Sequence, residues 1–252
     1  MRQVFERLGW LAFLVVLGSA VGAAIAGPGY QLGWWELSTA LRVVLQYSVY
    51  GLLAAGGIGF VLALILIAMP PRDGWVAPLL GALIAAAVAY VPVTMARTAA
   101  DVPRIHDIST DLGNPPPFVD LLALREGARN PPDHPGSEVA AQQQASYPDI
   151  KPVLLAASPD RTFAEAILVA TSLGWDIVAQ VPEEGRIEAT QTSFWFGFTD
   201  DIVIRIEETE TGSRLDIRSK SRVGQSDIGA NAARIRAFTA ALTAQLDASA
   251  SP

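Results

Sequence analysis

Three stretches of the chain contain no Asp, Glu, Lys, Arg or His: Leu8 to Ala26, Val43 to Met69 and Trp75 to Ala96. Each is near or above the roughly 20 residues that cross a bilayer as a helix, so the pattern predicts three transmembrane helices within 1–97. The second stretch carries Gln46, Tyr47, Ser48 and Tyr50 early on, which places its effective apolar run from about Val49 onward. Tyr30, Trp34, Trp35 and Trp75 fall at span ends, where amphipathic rings favour the membrane–water boundary. Gly51, Gly56, Gly57 and Gly59 read as a surface for close helix packing, and no charge inside a span marks an ion path.

After Ala96 the pattern changes. Residues 98–152 hold nine prolines and read as an extended segment wrapped on a neighbouring domain, with one short helix at 118–126 and apolar handles at Leu121, Leu122, Leu124, Tyr147 and Ile150. From 153 to 252 the periods become regular. A short apolar strand over 152–157 leads to Ser158 and Pro159, an N-cap and first helical position. Phe163, Ile167, Ala170 and Leu173 then line one helix face up to Gly174. Trp175, Ile177, Ala179 and Val181 alternate with Asp176, Val178 and Gln180 as a strand; 186–198 is a second. Ile202, Ile204 and Ile206 mark a third, and Leu215, Ile217 and Ser219 oppose the basic residues of a fourth. A last helix runs over about 227–246, with Ile228, Ile235, Phe238 and Leu242 as its stripe. Short turns between consecutive strands predict an α+β domain: an antiparallel sheet of about five strands packed by two helices.

Composition sharpens this division. Apolar residues make up 51% and charged ones only 17%, against about 25% charged in ordinary soluble domains. The net charge of −7 argues against nucleic acid as a partner. From Thr98 onward there are 13 Lys plus Arg against 22 Asp plus Glu, so the tail carries −9. The absence of cysteine excludes disulfides, thiolate catalysis and Cys-ligated metal. Arg2 and Arg7 precede the first span and no Lys or Arg follows until Arg42, which places the amino end in the cytoplasm and sends the tail to the outer side after three crossings. The full count is balanced: Arg2, Arg7 and Arg72 against Arg42, Arg97 and Arg104. Ala24 and Ala26 also form an A-x-A cleavage pattern; cut or uncut, the tail emerges on the same side.

Four segments carry a resemblance: RIHDISTDLGNPPPF at 104–118, YPDIKP at 147–152, FWFGFTDDIVIRI at 194–206 and SRLDIRSKSRVGQSDIGANAARIRAF at 213–238. Together they resemble the bacterial family known as domain of unknown function 1499. The resemblance implies a membrane-associated domain and supplies no catalyst.

Several side-chain groups are candidates for chemistry. Ser219, Arg222, Ser226, Asp227, Asn231 and Arg234 surround the start of the last helix, where an anion could meet free N–H groups beside Arg. The competing reading is a cap, with Asp227 occupying the positive helix end and Asn231 and Arg234 tied to Arg222. Gly224, Gln225 and Ser226 only partly match a nucleophile elbow, since Ile228 stands where Gly is needed; a hydrolase would pair Ser226 with His106. His106, Asp107, Asp111 and Asp120 are weak metal candidates without regular spacing. Phe194, Phe196 and Phe198 share one strand parity and read as core rings facing the helices, whereas Trp195 has the opposite parity and is the candidate for a partner or lipid surface. Arg214, Arg218, Lys220 and Arg222 form a basic stripe beside Arg205, read as a solvated face balanced by Asp216, Glu207 and Glu188.

These observations predict a multi-pass protein of the bacterial inner membrane with a periplasmic binding or scaffolding domain. Its partners would be the bilayer and an envelope protein or anionic lipid headgroup, and it would need no cofactor. A module gripping an apolar ligand between helix and sheet is the alternative, distinguished by a pocket at Phe163, Ile167, Ile204 and Phe238; a hydrolase comes third.

Overall fold

The computed structural model describes residues 1–248. The last four residues of the 153–252 region lie outside them. The chain divides into two units: residues 1–97 together with 194–197, and residues 98–193 together with 198 onward.

The first unit contains α1 (Arg2–Gln31), α2 (Leu37–Ala68) and α3 (Val76–Asp101) as far as Arg97, and all three helices are long and apolar enough to cross a membrane. Helix α1 runs past both ends of its charge-free stretch, α2 past the start of its own and α3 past the end, because backbone hydrogen bonding continues past the point where side chains turn polar. Helix α2 passes through a π-helical segment at Ala40–Leu45, just after its first turn. Small residues set the packing. A Cβ on Gly51 would lie 2.2 Å from the Ser19 hydroxyl, one on Gly56 2.5 Å from the Ala85 methyl, and one on Gly59 2.9 Å from the Pro78 carbonyl. Gly57 faces open space. Val16, Ala23, Leu52, Ala55, Ala85 and Ala89 fill the seam. The tetrapeptide 194–197 belongs to this unit, with Phe196 buried and Phe194 99% exposed.

The second unit is an α+β fold with a six-stranded antiparallel sheet. Its strands are β1 (Asp107–Ser109), β2 (Val153–Leu155), β3 (Asp176–Val181), β4 (Arg186–Thr192), β5 (Thr199–Thr209) and β6 (Gly212–Ser221). The order is β1-β6-β5-β4-β3, and β2 pairs with the other half of the β6 edge. Its helices are α4 (Leu121–Leu124), α5 (Ser137–Ser146), α6 (Pro159–Ser172) and α7 (Ala230–Ala248). Ser158 caps α6 by accepting the Arg161 amide. The core gathers Phe163, Ala166, Val169 and Ala170 of α6, Ile235, Phe238 and Leu242 of α7, and Ile187, Ile202, Ile204, Leu215 and Ile217 of the sheet. Trp175 stacks on Phe238 at 4.9 Å.

Four local expectations are corrected. The strand foreseen over 186–198 ends at Thr192, because Ser193 N–H donates to the Phe198 carbonyl and closes a turn. The alternation of burial from Asp176 to Val181 holds, but a single pairing face does not: at a bulge between Ile177 and Ala179 the register shifts, so Ile177 pairs with Ala189 while Ala179 pairs with Glu188 and Val181 with Arg186. The last helix starts at Ala230, after Ile228 and Gly229 at φ 54° and 80°. Between the prolines, residues 137–146 form α5, whose Gln143 side chain is buried because it pairs with both backbone groups of Ser109, at 3.0 and 2.7 Å.

Candidate functional site

Alternation along β5 and β6 sorts their side chains onto two faces. One parity, with Ile202, Ile204, Leu215 and Ile217, faces α6 and α7. The other, with Asp201, Arg205, Arg214, Asp216, Arg218, Lys220 and Arg222, meets residues 107–133. The expectation of a solvated basic stripe is overturned at its centre: Arg218 and Lys220 are buried. The sequence showed the stripe but not the proline-rich segment that covers it.

Asp107 accepts Nε and Nη2 of Arg218 at 2.9 and 2.8 Å and Nζ of Lys220 at 2.9 Å. Asp201 pairs with Arg125 and accepts Nη2 of Arg222 at 2.7 Å. Arg218 and Arg125 also stack over the Phe118 ring, at 4.7 and 5.2 Å. Four cations thus share two carboxylates. Main-chain oxygens of the covering segment take up further donors: Pro116, Pro132 and Asp133 accept Arg218 and Lys220, and Asn130 accepts Arg125, whose Nε stays buried without a partner. Beside this patch, Asp111 and Asp216 bind Arg205 and Arg214. Further along, Glu188 accepts the amides of Val119 at 2.8 Å and Leu121 at 2.7 Å and pairs with Arg186.

The residues proposed around the last helix separate onto the two faces. On the α7 face, Ser219 Oγ donates to Asn231 Oδ1 at 2.7 Å and accepts Arg234 Nη1 at 2.9 Å. Arg234 also reaches Asp200 and Gln191, both at 2.7 Å, while Asn231 Nδ2 donates to the Ser221 hydroxyl and the His106 carbonyl. Asp227 accepts the amides of Gly229 and Asn231 at 2.8 and 2.9 Å, and Ser226 Oγ accepts that of Ile228 at 3.2 Å. Arg222 lies on the opposite parity with Asp201; the tie foreseen between Arg222 and Asn231 and Arg234 is replaced by this pairing. Asp107 and Asp111 hold guanidinium or ammonium groups, and among the described residues no three His, Cys, Asp or Glu gather as a metal site. The aromatic expectation is reversed: Phe194 is the exposed ring and Trp195 is partly buried in the 194–197 tetrapeptide of the helical unit, because the chain turns after Thr192 and strand parity no longer applies there.

An open cavity of about 450 Å³ adjoins the cation-rich end of the sheet, lined by Arg104, His106, Asn130, Val139, Gln225 and neighbours. No Asp or Glu is among its described lining residues. Arg104 donates to the Gln225 side chain at 3.1 Å. Arg104 and His106 stood in the sequence as a membrane flank and a metal or base candidate; nothing in the spacing announced that they share a cavity with Gln225.

Burial opposes the charge on Asp107, but Arg218 and Lys220 outweigh it and hold its carboxyl below the ordinary range. Asp111 is also lowered: burial is overcome by the Asn114 and Gly113 amides and by Arg214. Burial, reinforced by Lys220, lowers His106, and burial lowers His134. Asp227 is raised by burial. A folded value below the unfolded one stabilises above the unfolded pKa and is lost as pH falls through the folded value. Acidification is therefore expected to lower the melting temperature in two stages: below about pH 6.5 as the histidines are forced to charge, then below about pH 4 as Asp107 and Asp111 protonate. Asp227 works in the opposite sense, its contribution fading as pH rises through its folded value. Melting curves of the detergent-solubilised chain and of His106→Gln/His134→Gln check this; the double variant should lose the first stage.

Three helices long and apolar enough to cross a membrane, together with an antiparallel α+β domain that holds a buried ionic layer, define the class of the chain. The chain belongs to the family described as protein of unknown function DUF1499, whose model matches residues 107–242, more than half of the sequence. None of the curated proteins matches the chain.

Proposed function

We propose that this protein is a binding or scaffolding module of the bacterial cell envelope, anchored in the inner membrane with its tail on the periplasmic side. The observation that carries the reading is the cavity beside the cation-rich patch, which has Arg104 and His106 at its wall and no carboxylate among its described lining residues. Such a wall favours an anionic group, either a lipid headgroup or an acidic side chain of an envelope protein. The apolar-ligand alternative has less support: Phe163, Ile204 and Phe238 belong to one continuous core with Ile167 packed against it. Hydrolysis has less still, because Ser226 accepts the Ile228 amide and the sheet is antiparallel, whereas nucleophile elbows cap parallel sheets.

Native mass spectrometry of the detergent-extracted full chain tests the proposal. A retained anionic lipid or a stoichiometric second chain is expected, and Arg104→Gln should weaken its retention about tenfold, the loss of one charge-assisted hydrogen bond. Bare protein under all mild conditions, or retention indifferent to Arg104, would overturn it.

A further inference from the structure

We infer that the tetrapeptide Phe194–Gly197 is a membrane-interface element, docked on the carboxyl end of α1 with the Phe194 ring entering the lipid headgroup–acyl boundary. Pro28 lies inside α1 and has no N–H, so the Ala24 carbonyl four residues earlier lacks its helical partner. Ala24 lies within the charge-free stretch Leu8 to Ala26, where water is not at hand to replace that bond. The Trp195 indole fills the gap: its Nε1 donates to the Ala24 carbonyl at 3.2 Å. Gly27 makes the approach possible, since a Cβ there would lie 2.0 Å from the Trp195 carbonyl oxygen. Gln31, at the last turn of α1, donates from Nε2 to the carbonyls of Phe194 at 3.1 Å and Trp195 at 2.8 Å.

Docking through its backbone and the indole leaves the Phe194 side chain 99% exposed. An isolated exposed Phe needs no explanation, but this one sits on a tip bound to the end of an apolar span, where the neighbouring Phe196 ring lies 6.5 Å from Tyr30 and the Trp35 indole donates to the Ala26 carbonyl at 3.0 Å. A span end already lies where headgroups begin, so the occupant of the space around Phe194 is lipid. This inference requires α1 to span the bilayer and is independent of the anion-binding cavity.

The cysteine-free sequence allows a clean test on the full chain in nanodiscs. Phe194→Cys carrying an environment-sensitive fluorophore is compared with Leu154→Cys, whose native side chain is 75% exposed on strand β2. The label at 194 should be quenched by acyl-brominated lipid and protected from aqueous iodide, and the label at 154 should show the reverse. Introducing Gly27→Leu should remove both lipid quenching and iodide protection at 194, with the melting transition of the tail retained as the folding control. Equal iodide quenching at both sites without a brominated-lipid effect, or quenching at 194 indifferent to Gly27→Leu in the folded protein, would overturn the inference.

Discussion

Asp107→Asn is expected to destabilise the tail by about 3–5 kcal/mol, the range for breaking a buried ion pair from one side. The carboxylate is fully buried and is the acidic partner of both Arg218 and Lys220, so neutralising it strands two cations beside Arg125. Lys220→Met provides the contrast. It removes a cation whose charged form burial already disfavours, and it leaves the two-point Arg218–Asp107 pairing in place. Its cost should stay below about 1.5 kcal/mol, as for other replacements of similar size. Hydrogen-exchange protection of the β6 amides, read in the full chain, distinguishes the two variants. Equal losses would mean that side-chain volume rather than charge holds this layer together.

A second large effect is expected at Glu188. Its carboxylate binds the amides of Val119, Asp120 and Leu121 and pairs with Arg186, thereby anchoring the start of α4 to the middle of β4. Glu188→Ala leaves buried donors without an acceptor and should cost about 3 kcal/mol. The loss should be local: amides over 110–130 should exchange faster while those of α6 and α7 keep their protection. Uniform loss of protection would show that the covering segment is inseparable from the core. Salt should do little to either variant, because buried pairs are weakly screened.

The sequence makes the spans and the helix-facing half of the sheet legible because each rests on a local period: charge-free runs for the helices, alternating Ile202, Ile204 and Ile206 for β5. The charged half follows no such rule. Asp107 and Lys220 are 113 residues apart, and the lysine is buried only because residues 116–133 fold across it. A warning was nevertheless present in the pattern, since Asp201 shares its strand parity with Arg205 and stands opposite Lys220. The bulge in β3 escaped for a different reason: a one-residue change of register leaves the hydrophobic alternation of the sequence intact while changing which residues of β4 it pairs with. Around α7, Asp227 and Ser226 were readable as turn and cap residues from their type, whereas the partners of Arg222 and Arg234 depended on which face each side chain took.

The orientation of the membrane part decides what the tail can meet, and the balanced arginine count around the spans leaves it to a direct measurement. Leu154→Cys places one thiol on an exposed edge of the tail in a chain that otherwise has none. Treated with a membrane-impermeant maleimide, intact spheroplasts should label it fully, with no increase after lysis. Labelling that appears only once the membrane is broken would place the tail in the cytoplasm and contradict the periplasmic module described above.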